Sequence, residues 1–198
     1  MKNSNIKDSN IFEIYVTLLH YPVVNRTGNK IVSAVTNLDI HDISRACTTY
    51  GVKKFFIVTP DEEQQKIATE IIDYWQKGKG GILNPDRQEA LKLVSIQSDL
   101  TSVKNEILKK TAKFPLVIAT SAGYKGQVIS CKLLREQFLL NKKNRQPLML
   151  LFGTAFGLHE DVYKEVDMVL EPIKGPTQYN HLSVRCAVAI YLDRLFRF

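Results

Sequence analysis

The chain reads as an α/β protein whose mostly parallel sheet carries helices on both faces. Short apolar runs alternate with helical patterns from end to end, at the spacing of right-handed βαβ units. Runs such as PLVIA at 115–119 and LMLLF at 148–152 have no polar position, as strands covered on both faces require. Loops rich in glycine and small polar residues follow several of these runs, and open α/β sheets place ligand sites outside the carboxyl ends of their strands.

Residues 1–10 are polar and predict a flexible N-terminal arm, leaving 11–198 as a single domain. A first strand spans 13–20. The turn signal NRTG at 25–28 follows, and extended chain at 31–35 leads toward Asn37. Asp39 then opens the first helix as its N-cap, with Ile40, Ile43, Cys47 and Tyr50 inward and Gly51 at the end. His41 and Arg45, four apart, are neighbours on its other side. VKKFFIVT at 52–59 is a buried strand, and 61–77 an amphipathic helix with Ile67, Ile71, Ile72 and Trp75 facing in. The glycines at 78–81 predict a flexible break.

A helical turn at 86–92 leads to a strand at 93–97, and Asp99 caps a helix that runs through Lys110. The strand at 115–119 ends in TSAG at 120–123, and 130–140 forms a helix with a basic outer side. After the strand at 148–152 come GTAFG at 153–157, a short helix, a strand at 168–170 and the loop EPIKGP at 171–176. A terminal helix starts near 180–183. It places Val184, Val188, Tyr191, Leu192 and Leu195 on one stripe and the small residues Ala187 and Ala189 on a second surface.

The 198 residues, 44% hydrophobic and 24% charged, suit one globular domain with a real core. The net charge of +7 is concentrated. Between Lys104 and Arg145 ten basic residues face only Glu106 and Glu136, so the remainder is about neutral. Such a surface suits a polyanion such as RNA, because each neutralised phosphate releases counterions; a solvated basic face is the plainer alternative. Cys47, Cys131 and Cys186 are odd in number and widely spaced without a CxxC pair, so neither a disulfide framework nor a metal site is expected. A reducing cytoplasm is the simplest location. No apolar run reaches bilayer-spanning length, and no membrane role is expected.

Two further patterns carry a family likeness. NHLSVRCAVAI from Asn180, after a strand and a Pro-Ile-x-Gly loop, combines with LFGTAFGL at 151–158 to resemble the SPOUT class of S-adenosylmethionine-dependent RNA methyltransferases. The run LLHYP from Leu18, with AVTNLDIHDISR at 34–45 and YGV from Tyr50, is most similar to a small bacterial group of such enzymes. The likeness covers about residues 14–196. It implies a deep C-terminal trefoil knot, a homodimer, and S-adenosylmethionine held bent by three loops. On those loops it assigns Thr120, Ser121 and Ala122; Phe152, Gly153, Thr154, Gly157 and Leu158; and Pro172, Ile173, Gly175, Asn180, His181, Leu182 and Ser183.

The ribose-methylating branch of the class brackets its first helix with an asparagine and an arginine, and Arg45 occupies the arginine's place. The chain departs from that branch at His41, where a glycine is usual, and near Ala155, where a glutamate is usual. The acceptor atom, base nitrogen or ribose oxygen, therefore stays open. His41 joins Arg45 as a catalytic candidate because histidine titrates near neutral pH. An exposed helix arginine paired with Asp42 is the plainer reading of Arg45. His20, Asn37, Lys125 and Arg185 are substrate-binding candidates, with turn, cap or surface roles as their alternatives.

The expected function is thus methylation of a tRNA or rRNA. The alternative is a non-catalytic knotted RNA-binding protein, for which the absent glutamate leaves room. A flavodoxin-like nucleotide protein fits less well, since HYP at 20–22 stands where a glycine phosphate loop would be needed.

Overall fold

Six strands pair in parallel in the order β5-β4-β1-β7-β6-β8. They are β1 Ile14–Leu19, β4 Lys54–Val58, β5 Val94–Gln97, β6 Leu116–Ala119, β7 Leu148–Gly153 and β8 Met168–Val169. The computed structural model describes residues 13–140 and 146–196. The expected arm at 1–10 lies outside the described residues, as do Lys142, Lys143 and Arg145 of the basic window.

Alternate residues of the strands feed two cores. Ile14, Val16 and Leu18 of β1 pack with Leu148, Leu150 and Phe152 of β7 against α1 Asn37–Thr49, α4 Pro85–Leu91, α6 Cys131–Leu134 and α8 Val184–Phe196. Tyr15, Leu19, Met149 and Leu151 face the other way, toward Val103 and Ile107 of α5 Leu100–Thr111 and Val162 of α7 Glu160–Tyr163. Burial on both faces is why these strands lack polar positions.

Several boundaries differ from the sequence reading. The first helix begins at Asn37 with Thr36, not Asp39, as its N-cap; Thr36 Oγ1 accepts the Asp39 N–H at 3.2 Å and donates to Asp39 Oδ2 at 2.7 Å. The Thr36 hydroxyl thus satisfies one free N–H of the first turn and is itself held by the Asp39 carboxylate. Replacing Thr36 by alanine should cost about 1 kcal/mol of stability, checked by chemical denaturation. The glycines at 78–81 do not form a loose break. Gly78 caps α3 Lys79–Leu83, and Gly80 and Gly81 are buried where a Cβ would meet Trp75, Tyr74 and Gln88. The helix expected at 61–77 is α2 Glu62–Gln76, with Asp61 as its N-cap. The extended chain expected at 31–35 contributes only β3 Lys30–Ile31, paired antiparallel with β2 Val23–Val24. The helix expected at 130–140 is α6 continued by a π-helical turn, Arg135–Leu139.

Candidate functional site

Three loops leave the carboxyl ends of β6, β7 and β8 side by side. With the start of α1 and of α8 they line a cavity of about 900 Å³, within the range of small-molecule and cofactor sites.

The first loop is fixed by Thr120, whose N–H and hydroxyl both donate to the Leu151 carbonyl, at 3.0 and 2.9 Å. Ser121, Ala122 and Gly123 then face the cavity. In the second loop Gly153 is pressed against Leu158, so that a Cβ there would lie 2.9 Å from the Leu158 nitrogen. Gly157 holds a φ of 114°, in the left-handed region where glycine is favoured. β2 pins this loop from behind, with Val24 N–H donating to the Gly157 carbonyl at 3.0 Å and Phe156 N–H to the Val24 carbonyl at 3.1 Å. The third loop is tied to the first by Asn180 Nδ2, which donates to the Ala122 carbonyl at 3.0 Å. Ile173, Leu182 and Tyr191 add apolar wall, and the Tyr191 hydroxyl donates to the Glu171 carbonyl at 2.7 Å. Burial pushes the phenols of Tyr191 and of Tyr163, also in the lining, above their ordinary range.

One end of the cavity is polar. Asp39, buried, faces Arg185, which reaches Asp39 Oδ1 and Asp42 Oδ2 at 3.5 Å each. Ser33 and Thr154 are hydrogen-bonded through their hydroxyls, and Thr154 donates on to the Leu19 carbonyl at 3.1 Å. The Ser33 hydroxyl also meets His20 Nδ1 at 2.9 Å. A hydroxyl chain thus runs from a buried imidazole to the cavity wall. Burial pushes His20 down to about 4, against the opposing pull of the Asp39 charge.

Most of the residues assigned to the cofactor by resemblance converge. Thr120, Ser121 and Ala122, then Phe152, Gly153, Thr154, Gly157 and Leu158, and finally Ile173, Asn180, His181, Leu182 and Ser183 line the cavity. Pro172 and Gly175 are not in its lining. Arg185 is the one substrate candidate in the wall. His20 stands behind the wall, while Asn37 and Lys125 are exposed outside it. Arg45 is exposed and His41 packs edge-on against Trp75 at 5.4 Å, both outside the lining. Burial, with the Arg87 charge, lowers the His41 pKa. Sequence reasoning missed Ser33, Thr36, Tyr163 and the pocket role of Asp39. Only Thr36 and Asp39 carried a local signal, the Thr-x-x-Asp spacing before an apolar run.

A slot walled by backbone and apolar side chains, with a hydroxyl, carboxylate and guanidinium end, defines the class: an α/β protein with a strand-end site for a nucleoside-like ligand bearing a polar tail. S-adenosylmethionine fits it, because the lining offers backbone to an adenine and polar groups to a methionine end. The comparisons agree. The chain belongs to the SAM-dependent RNA methyltransferase family, whose model matches residues 13–197. It is 42% identical over 185 residues to a tRNA (guanine-N(1)-)-methyltransferase of Oleidesulfovibrio alaskensis, an alignment covering 92% of this chain but only 41% of that relative. Its fold matches a methylase family protein from Neisseria gonorrhoeae with a TM-score of 0.65 at 17% identity, covering 99% of this chain and 86% of the other. It also matches the SpoU methyltransferase AviRb from Streptomyces viridochromogenes in complex with AdoMet, with a TM-score of 0.53 at 15% identity, covering 92% and 56%.

Proposed function

We propose that this chain transfers a methyl group from S-adenosylmethionine to a nucleotide of tRNA, acting as a homodimer in the cytoplasm. The observation that carries the reading is the convergence of three strand-end loops on one cavity, with Gly153 pressed against Leu158. The tRNA substrate is supported by the relative's name, and a further basic surface is supplied by the window that includes Lys109, Lys110, Lys132 and Arg135. The chain spans about two-fifths of that relative's length, so the atom methylated is not transferred with the name.

When bound, the cofactor supplies an electrophilic methyl on a sulfonium, displaced in line. The protein's own task is alignment and removal of the acceptor's proton. The three loops hold the donor. The polar end serves both partners, with the Thr154 hydroxyl on the donor's side and Asp39 and Arg185 toward the acceptor. Arg45 lies outside the cavity of its own chain, and in the homodimer proposed here its place is at the site of the second copy. The C-terminal knot is supported by the path of the last third. There Ile129 bridges Leu170, Cys131 N–H donates to Glu171 Oε1 at 3.2 Å, and Asn180 reaches back to Ala122.

Calorimetric titration with S-adenosylmethionine tests the donor, and labelled methyl incorporation into tRNA from cells lacking the gene tests the reaction. Absence of cofactor binding by folded protein refutes the donor site. Salt-sensitive tRNA binding without incorporation identifies a non-catalytic RNA-binding protein. Arg45→Ala should keep cofactor affinity and lower turnover by about 100-fold, the scale of a lost acid-base or charge contribution. Unchanged turnover removes Arg45 from the mechanism.

A further inference from the structure

We infer that Phe156 is a stacking platform for an RNA base at the mouth of the cavity. The inference rests on the reading above that the substrate is RNA. Phe156 lines the cavity yet is 63% exposed. It belongs to neither hydrophobic core, so folding does not account for a phenyl ring there.

The loop that carries it is held firmly. Phe156 N–H donates to the Val24 carbonyl at 3.1 Å, Gly157 accepts from Val24 at 3.0 Å, and Gly157 N–H donates to the Thr154 carbonyl at 2.9 Å. Leu158, two residues on, bridges Val23. Ala155, just before the phenyl, holds a φ of 51° although it is not glycine. A strained backbone retained beside a ligand cavity is characteristic of functional loops. Strain and hydrogen bonds together present an apolar ring to solvent at one fixed place.

A methylated nucleotide has to leave its stack before its acceptor atom can meet a buried methyl donor. Unstacked RNA bases are received by aromatic side chains, because every base has a π face. A ring already fixed in place loses little freedom when the base arrives. Stacking of this kind is tolerant of base identity. Phe156 therefore contributes affinity at the mouth, while selection of the nucleotide falls to the polar end lined by Asp39 and Arg185.

The test uses the full chain with total tRNA from cells lacking the gene. Phe156→Ala should raise the KM for tRNA about tenfold, the scale of one lost base stack, with cofactor affinity by calorimetry and kcat retained. Phe156→Trp should restore the KM, and its fluorescence should be quenched by tRNA in the absence of cofactor. The wild type, whose only tryptophan is Trp75, sets the background. An unchanged KM in the alanine variant, or no added quenching in the tryptophan variant, overturns the inference. So does an alanine variant that turns monomeric in light scattering where the wild type is dimeric, since the ring then belongs to a contact between copies. Failure of the underlying reading is seen separately, as wild-type protein that neither binds nor methylates this tRNA.

Discussion

Replacing Gly153 by valine should abolish measurable binding of S-adenosylmethionine while leaving a folded protein. A Cβ at this position would lie 2.9 Å from both the backbone nitrogen and Cδ2 of Leu158, a separation that real side chains do not sustain. Neither side can retreat easily. Gly153 is the last residue of β7 and pairs with Leu19 of the central strand β1. Leu158 bridges Val23, its neighbours Phe156 and Gly157 are both bonded to Val24, and His159 N–H donates to the Pro22 carbonyl at 3.1 Å. The second loop must therefore open away from β2, and it forms one of the three walls of the cavity. Overpacking of this kind costs about 1–3 kcal/mol of stability. A loss of affinity of at least about 100-fold is expected, because misplacing a ligand-holding loop by about 1 Å is already that costly. Gly175→Val is the control. Nothing lies within 4 Å of a Cβ at Gly175 and its φ is outside the left-handed region, so cofactor affinity should stay near wild type. Calorimetry reads both variants, with thermal denaturation reporting that each is folded. Wild-type affinity in Gly153→Val would show that the contact between Gly153 and Leu158 does not shape the site.

The parts of this fold that were legible in the sequence are those set by local physics. LMLLF in β7 and LVIA in β6 lack polar positions because both faces of each strand are buried, so the runs announce parallel strands. Asp99 was readable as a cap because a cap is a contact across two or three residues. The three loops were legible as small and glycine residues after apolar runs, and the family likeness assigned them one ligand. What was not legible depends on strand order. Insertion of β7 between β1 and β6 brings the loop after β7 against Ser33 and the start of α1. Asp39 looked like a helix cap because nothing nearby in sequence shows Arg185, 146 positions away. The glycines at 78–81 looked like a linker because the reason for their size, close contact with Tyr74, Trp75 and Gln88, is a matter of packing. Arg45 and His41 sit on the helix face predicted for them, yet that face turns away from the cavity of the same chain.

His20 should make the protein lose stability as the pH falls through the range in which an ordinary histidine gains its proton. The ring is fully buried, and among the described residues its Nε2 has no hydrogen-bond partner. Burial holds its pKa at about 4, below the ordinary 6.5. Between these values the unfolded chain binds a proton that the folded chain does not. Stability from this group is therefore complete above about pH 6.5 and declines as the pH drops to about 4, below which it changes no further. A shift of that size corresponds to about 3 kcal/mol. His20→Gln cannot take up the proton, so the stability difference between wild type and variant should change by that order between pH 7.5 and pH 4, read by chemical denaturation. Carboxylates held low by partners, such as Asp161 beside Lys164 and Lys30 or Asp99 beside Ser98 and Ser102, titrate in both proteins and cancel. A difference that stays constant over this range would mean that the folded protein protonates His20 freely. The chain from His20 through Ser33 to Thr154 would then place a charge behind the wall of the cavity. If the difference falls as expected, the imidazole is neutral at the pH of the cell. It then meets the site as an uncharged ring, through its hydrogen bond with the Ser33 hydroxyl.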